Sequence, residues 1–165
     1  MSNYRGHVAG AALFSVAYLA ILTLVFNLEI IPTDREIFSG FAFPIVLVGL
    51  SVMFGLFPDV DINSHAQNIF YSMFFVVDIW LIATKNFEEA AYLGLIAMLP
   101  VISKHRGWTH KKISMVLIPM PLLLMPAANN PDDIWVGLPY YGAAVVGYFS
   151  HLWFDRLILK KWRRR

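Results

Sequence analysis

Cysteine is absent from the 165 residues, so the chain can form neither a disulfide nor a thiolate metal site. Redox chemistry therefore says nothing about its compartment. Charge is scarce as well. Asp, Glu, Lys and Arg make up 15% of the residues and are missing from several stretches that approach or exceed the roughly 18–20 residues needed to cross a bilayer. The H-E-x-x-H helix of a metalloprotease is also missing. So is a small-residue cleavage site after the first apolar run, which is expected to stay in the protein. What is present is apolar: 58% of residues are hydrophobic and the mean hydropathy is +0.60. An ordinary soluble domain holds about 45–50% apolar residues by a wider count that includes glycine. These quantities imply an all-α polytopic membrane protein with one domain over residues 1–165.

Six spans can be read along the chain. They run from His7 to about Leu28, Gly40 to Phe57, Ile69 to Thr84, Ala90 to Ile102, Ile113 to Ala128, and Trp135 to Leu159. The fourth is the weakest by length. The fifth carries Pro119, Pro121 and Pro126, which should kink or break it. Asp78 lies inside the third span, where a charge is costly in lipid, so it should face the bundle interior.

Six spans put both termini on one side, and charge bias supports that count. Arg5, Lys104, Arg106, Lys111, Lys112, Arg156, Lys160, Lys161, Arg163, Arg164 and Arg165 fall on the side of the termini, leaving only Arg35 and Lys85 opposite. The basic face is expected to be cytoplasmic. On this topology His7, Asp59, Asp61, His105, His110, His151 and Asp155 all come to the cytoplasmic level, although they lie far apart in the chain. Independent structural roles would scatter them over both faces.

His151 and Asp155 are four residues apart and share one helical face. Asp59 and Asp61, just past Pro58, suit an extended turn that offers both carboxylates inward. His105 and His110 flank Gly107 and need a turn or a helix start to converge. With His7 these make seven candidate ligands, too many for one ion and reasonable for two. The chemistry they suit is metal-assisted hydrolysis. Asp59 or Asp61 would serve as general base and Arg106 as a planar clamp for an anionic group. Lys104, Lys111 and Lys112 would attract anionic headgroups, and Ser64 and Thr109 would hydrogen-bond the ligands. His65 sits in a polar loop and is set aside as a bystander.

Gly6-His7 before an apolar span, Pro58-Asp59-Val60-Asp61 followed by Ser64, His105-Arg106-Gly107-Trp108-Thr109-His110, and Ser150-His151-Leu152 with Asp155 occur in that order over nearly the whole chain. In these motifs the chain resembles the LexA-regulated inner-membrane metal-dependent hydrolases, the YdjM-like family. A more distant likeness links it to the all-helical zinc phospholipases C and P1-type nucleases. The resemblance implies a multi-pass inner-membrane protein with a metal at these histidines and aspartates. Zinc suits the donors, as one ion or two, with manganese, nickel and iron as further choices. The expected activity is hydrolysis of a phosphoester, a lipid headgroup or a related anionic small molecule. Membrane lipids are the expected surroundings, with no nucleic-acid partner. The alternative is a non-enzymatic membrane protein that binds or transports a metal or a lipid.

Overall fold

A computed structural model describes residues 4–30, 40–60, 65–102 and 108–155. Every regular element among them is helical. This follows from composition: long apolar stretches in lipid must satisfy their own backbone groups, and a helix does so within one segment. The helices are α1 (Tyr4–Asn27), α2 (Ala42–Leu56), α3 (His65–Ala83), α4 (Phe87–Ile102), α5 (Lys112–Leu117), α6 (Met120–Asn129) and α7 (Ile134–Phe154). Single 3-10 turns at Phe57–Asp59, Trp108–His110 and Pro131–Asp133 follow α2 and precede α5 and α7.

Among the described residues, two helices are long and apolar enough to cross a membrane by themselves, Gly6–Asn27 and Ala42–Asp59. Gln67–Ala83 and Lys112–Ala128 are shorter apolar segments. The fifth apolar stretch is broken as its prolines predict, with Pro119 between α5 and α6 and Pro121 in the first turn of α6. The third helix starts earlier than hydropathy suggests: His65 opens α3 instead of lying in a loop. Leu13, Val16, Ile21 and Leu24 on α1, and Phe75, Val76, Ile79 and Trp80 on α3, are all exposed. A water-soluble monomer rarely presents apolar faces this continuous, whereas a surface in contact with acyl chains requires them.

α7 is the spine, and α1, α2 and α6 pack against it. Its buried side includes Ala143, Ala144, Gly147 and Ser150, and small residues of this kind let helices approach closely in lipid. The closest approach is at Gly147, where an added methyl would run into the main-chain carbonyl of Ser51 on α2. The Ser51 hydroxyl in turn donates to the Ala11 carbonyl of α1 at 3.2 Å, tying three helices together at one level. At the other end, Pro126 leaves the Leu122 carbonyl without its helical N–H, and Gly137 lets α7 sit against that carbonyl.

Gly147→Ala is expected to destabilise the bundle by about 1–3 kcal/mol, because rigid backbone cannot yield to the methyl. Gly49→Ala, where nothing lies within 4 Å, should leave stability unchanged or slightly raised. Thermal unfolding of the purified variants in detergent compares the two. A Gly147→Ala protein as stable as Gly49→Ala would remove the close crossing from the account.

Candidate metal centre

Four separate segments deliver their polar side chains to one end of the bundle. His7 comes from the start of α1 and Asp59 from the 3-10 turn after α2. His110 comes from the turn before α5, and His151 and Asp155 from the last turn of α7. The turn that carries Asp59 is not extended, as the alternating carboxylates suggest, but helical. Pro58 fits the second position of such a turn with its fixed φ, and the Val60 N–H closes it on the Phe57 carbonyl at 3.3 Å. On α7 the four-residue spacing works as expected and brings His151 and Asp155 together.

The donors meet through the Nε2 atoms of the three imidazoles. His110 Nε2 lies 3.4 Å and His151 Nε2 3.6 Å from Asp59 Oδ1, while His7 Nε2 lies 3.9 Å from Asp59 Oδ2. Asp155 stands 3.6 Å from His7 Nε2 through Oδ1 and 3.7 Å from His151 Nε2 through Oδ2. All five separations exceed the 2.7–3.2 Å of a good N–H···O hydrogen bond. Two atoms each about 2.0–2.2 Å from a tetrahedral ion lie about 3.3–3.6 Å from one another. The spacing is that of ligands around a cation, or slightly wider.

Burial points the same way. His7 and His151 are buried, and their rings stack with centroids 4.0 Å apart. His151 Nε2, His7 Nδ1 and Asp155 Oδ1 are buried with no hydrogen-bond partner among the described residues. Leaving such groups unsatisfied costs about 1–3 kcal/mol each, and more where one is charged. The opposite edge of the His151 ring is held: Nδ1 lies 2.9 Å from the Gly55 carbonyl of α2. A carbonyl only accepts, so Nδ1 carries the proton and the Nε2 lone pair points into the cluster, which is how a metal-binding histidine is oriented. Thr109 Oγ1 lies 3.3 Å from His110 Nδ1, the contact expected of it. Two overlapping triads suit an ion: His7, His151 and Asp155, and Asp59, His110 and His151.

Five of the seven candidate ligands thus come together. Asp61, His105 and the candidate clamp Arg106, like Ser64 and Lys104, lie outside the described residues. His65 begins α3, exposed, and is not among the grouped donors. Asp78 is half-buried with Oδ1 inside the protein, as its place in an apolar stretch requires. Sequence reasoning missed the Gly55 carbonyl, since a main-chain acceptor carries no signature in residue type.

Residues 1–161 match the YdjM inner membrane protein family. The chain belongs to that family. It is an inner membrane protein, in keeping with its two long apolar helices and the apolar outer faces of α1 and α3. No curated protein and no solved structure matches it. Within this YdjM-family chain, the family match spans all four segments that supply the donor cluster.

Stripping divalent ions with a chelator is expected to lower the unfolding temperature of the purified protein. Zinc at about 100 times its dissociation constant should restore about 2.7 kcal/mol. Paired replacement of His7 and Asp155 by Ala and Asn should abolish that response. An identical midpoint with and without zinc in the wild type would count against a cation in this cluster.

Proposed function

We propose that the chain is a six-span metal-dependent hydrolase of the inner membrane. It acts at the cytoplasmic interface on a phosphoester borne by a lipid headgroup or a related anionic molecule. The observation that carries this reading is the convergence of His7, Asp59, His110, His151 and Asp155 at separations of 3.4–3.9 Å. A divalent ion held there supplies a water acidified to near-neutral pKa and polarises a phosphoryl oxygen. Zinc suits three imidazoles and two carboxylates, and manganese, nickel or iron also fit. One imidazole nitrogen binds one ion, so the triads that share His151 describe a single centre. A second ion would draw on Asp61 and His105.

The chain's own groups divide the remaining work. Asp59 is the most accessible of the five side chains at 21% exposure, so it faces the opening. Its Oδ1 lies closest to His110 and His151, which leaves Oδ2 the freer atom to accept a proton from the attacking water. His7 and His151, at most 2% exposed, hold water away from the rear of the centre. Arg106 would pair with the anionic group through its planar fork, and Lys111, exposed beside His110, would draw it in. A transport pathway would need polar groups deep in the spans, and among the described residues Asp78 is the sole acid there, Asp155 lying at the end of the sixth.

The test is release of nitrophenol from p-nitrophenyl phosphodiesters, and of the headgroup or its phosphate monoester from phospholipid vesicles, by the zinc- or manganese-loaded protein. Asp59→Asn and His110→Ala should each lower kcat at least about 100-fold, with Lys85→Gln unchanged. Turnover that survives both site variants, or is absent with every phosphoester, would sink the hydrolase reading. The topology is tested separately, because a chain without cysteine accepts single reporter thiols. Ser2→Cys and Ser103→Cys should react with an impermeant maleimide only from the cytoplasmic side, and Asn86→Cys and Asn130→Cys only from the opposite side. Any other pattern removes the six-span count.

A further inference from the structure

Four of the five converging donors sit on or directly beside α1, α2 and α7, which pack tightly on one another. His110 does not. It ends a three-residue 3-10 turn that leads into α5, a helix of only six residues. A helix so short has little stability of its own, so the direction of the His110 ring must be set from outside.

Tyr148 is placed to do this. It is fully buried on α7, three residues before His151, and so lies on the same face of that helix. Its hydroxyl is not among the grouped metal donors; it donates to the main-chain carbonyl of Thr109. That carbonyl belongs to the planar peptide unit that carries the His110 nitrogen, so fixing it fixes how His110 leaves the backbone. The Thr109 hydroxyl beside His110 Nδ1 then steadies the ring itself. Ring packing does not depend on the hydroxyl: the Tyr148 ring lies tilted 6.0 Å from that of Phe57, a contact that a phenylalanine would keep.

We propose that Tyr148 is a positioning residue, which sets the affinity of the centre for its ion by holding His110 in line without touching the ion. The inference rests on the metal-site reading above, and the experiment separates the two. The full chain is purified in detergent, and its zinc affinity is measured by competition with a chromogenic chelator, beside unfolding of the metal-free protein. Tyr148→Phe is expected to weaken zinc binding by about 10–100-fold. Tyr18→Phe is the matched control: it also loses a tyrosine hydroxyl bonded to a carbonyl, that of Pro139 at 3.0 Å. Pro139 lies twelve residues before His151 on α7, about 18 Å along the helix. Tyr18→Phe should lower the unfolding temperature as much as Tyr148→Phe and leave zinc affinity unchanged. In a His110→Ala background, Tyr148→Phe should weaken binding no further, since it acts through His110.

The proposal fails if Tyr148→Phe binds zinc like the wild type, if its effect persists in full without His110, or if Tyr18→Phe weakens binding equally. A wild-type protein that binds no zinc would overturn the metal centre itself, and this inference with it.

Discussion

Polar groups buried at the end of an apolar bundle govern this molecule. Removing an imidazole or a carboxylate from water is unfavourable unless a partner compensates it, and a carboxylate is much the costlier of the two. Here His151 Nε2 and Asp155 Oδ1 are buried without hydrogen bonds among the described residues, and their contacts within the cluster are too long to serve as such bonds. Apolar side chains of similar volume would pack the same space at less cost. On the proposed reading, a cation among these groups would offset the cost of keeping them together.

The packing is consistent with that demand. α7 contributes two donors, and the small residues behind them bring α1 and α2 within reach. Gly147 against Ser51 and the Ser51–Ala11 hydrogen bond lie just below the donor level, so the crossing of the three helices sets the distances above it. The Gly55 carbonyl belongs to the same crossing and orients His151. The α3–α4 pair contributes no donor among the described residues and turns an apolar face outward. The molecule therefore divides into a rigid three-helix frame with four donors and a short turn with the fifth. A change at the turn alters one ligand, whereas a change at the helix crossing alters four.

Much of this was legible in the chain. The four-residue spacing of His151 and Asp155 predicted their shared face, and the prolines between Ile113 and Ala128 predicted the break between α5 and α6. The sorting of histidines and acids to one level, inferred from charge bias, anticipated the convergence of five donors. Other features were out of reach for physical reasons. Alternation at Asp59 and Asp61 reads equally as an extended or a helical turn, and the fixed φ of Pro58 suits the helical one that forms. Hydropathy gives no boundary for a helix that begins with polar residues, as α3 does at His65. Tyr148 lies in an apolar run where a packing tyrosine and a hydrogen-bonding one look alike. Its role depends on a carbonyl 39 residues away.

The one-sidedness of the chemistry bears on what the centre does. A carrier must present binding groups to both faces in turn, and a permeation path needs polar groups between them. In this chain the grouped donors occupy one end. Toward the other, a groove of about 720 Å³ between α4 and α6 is walled by Leu117, Leu122, Leu124 and Met125, with Glu88 and Glu89 on its lining and no histidine. Between the ends, the buried Oδ1 of Asp78 has no hydrogen-bond partner among the described residues. On the proposed reading, a centre closed behind by His7 and His151 and open at Asp59 would hold an ion in place and expose one side of it. That asymmetry suits a bound catalyst that meets its substrate at a single surface.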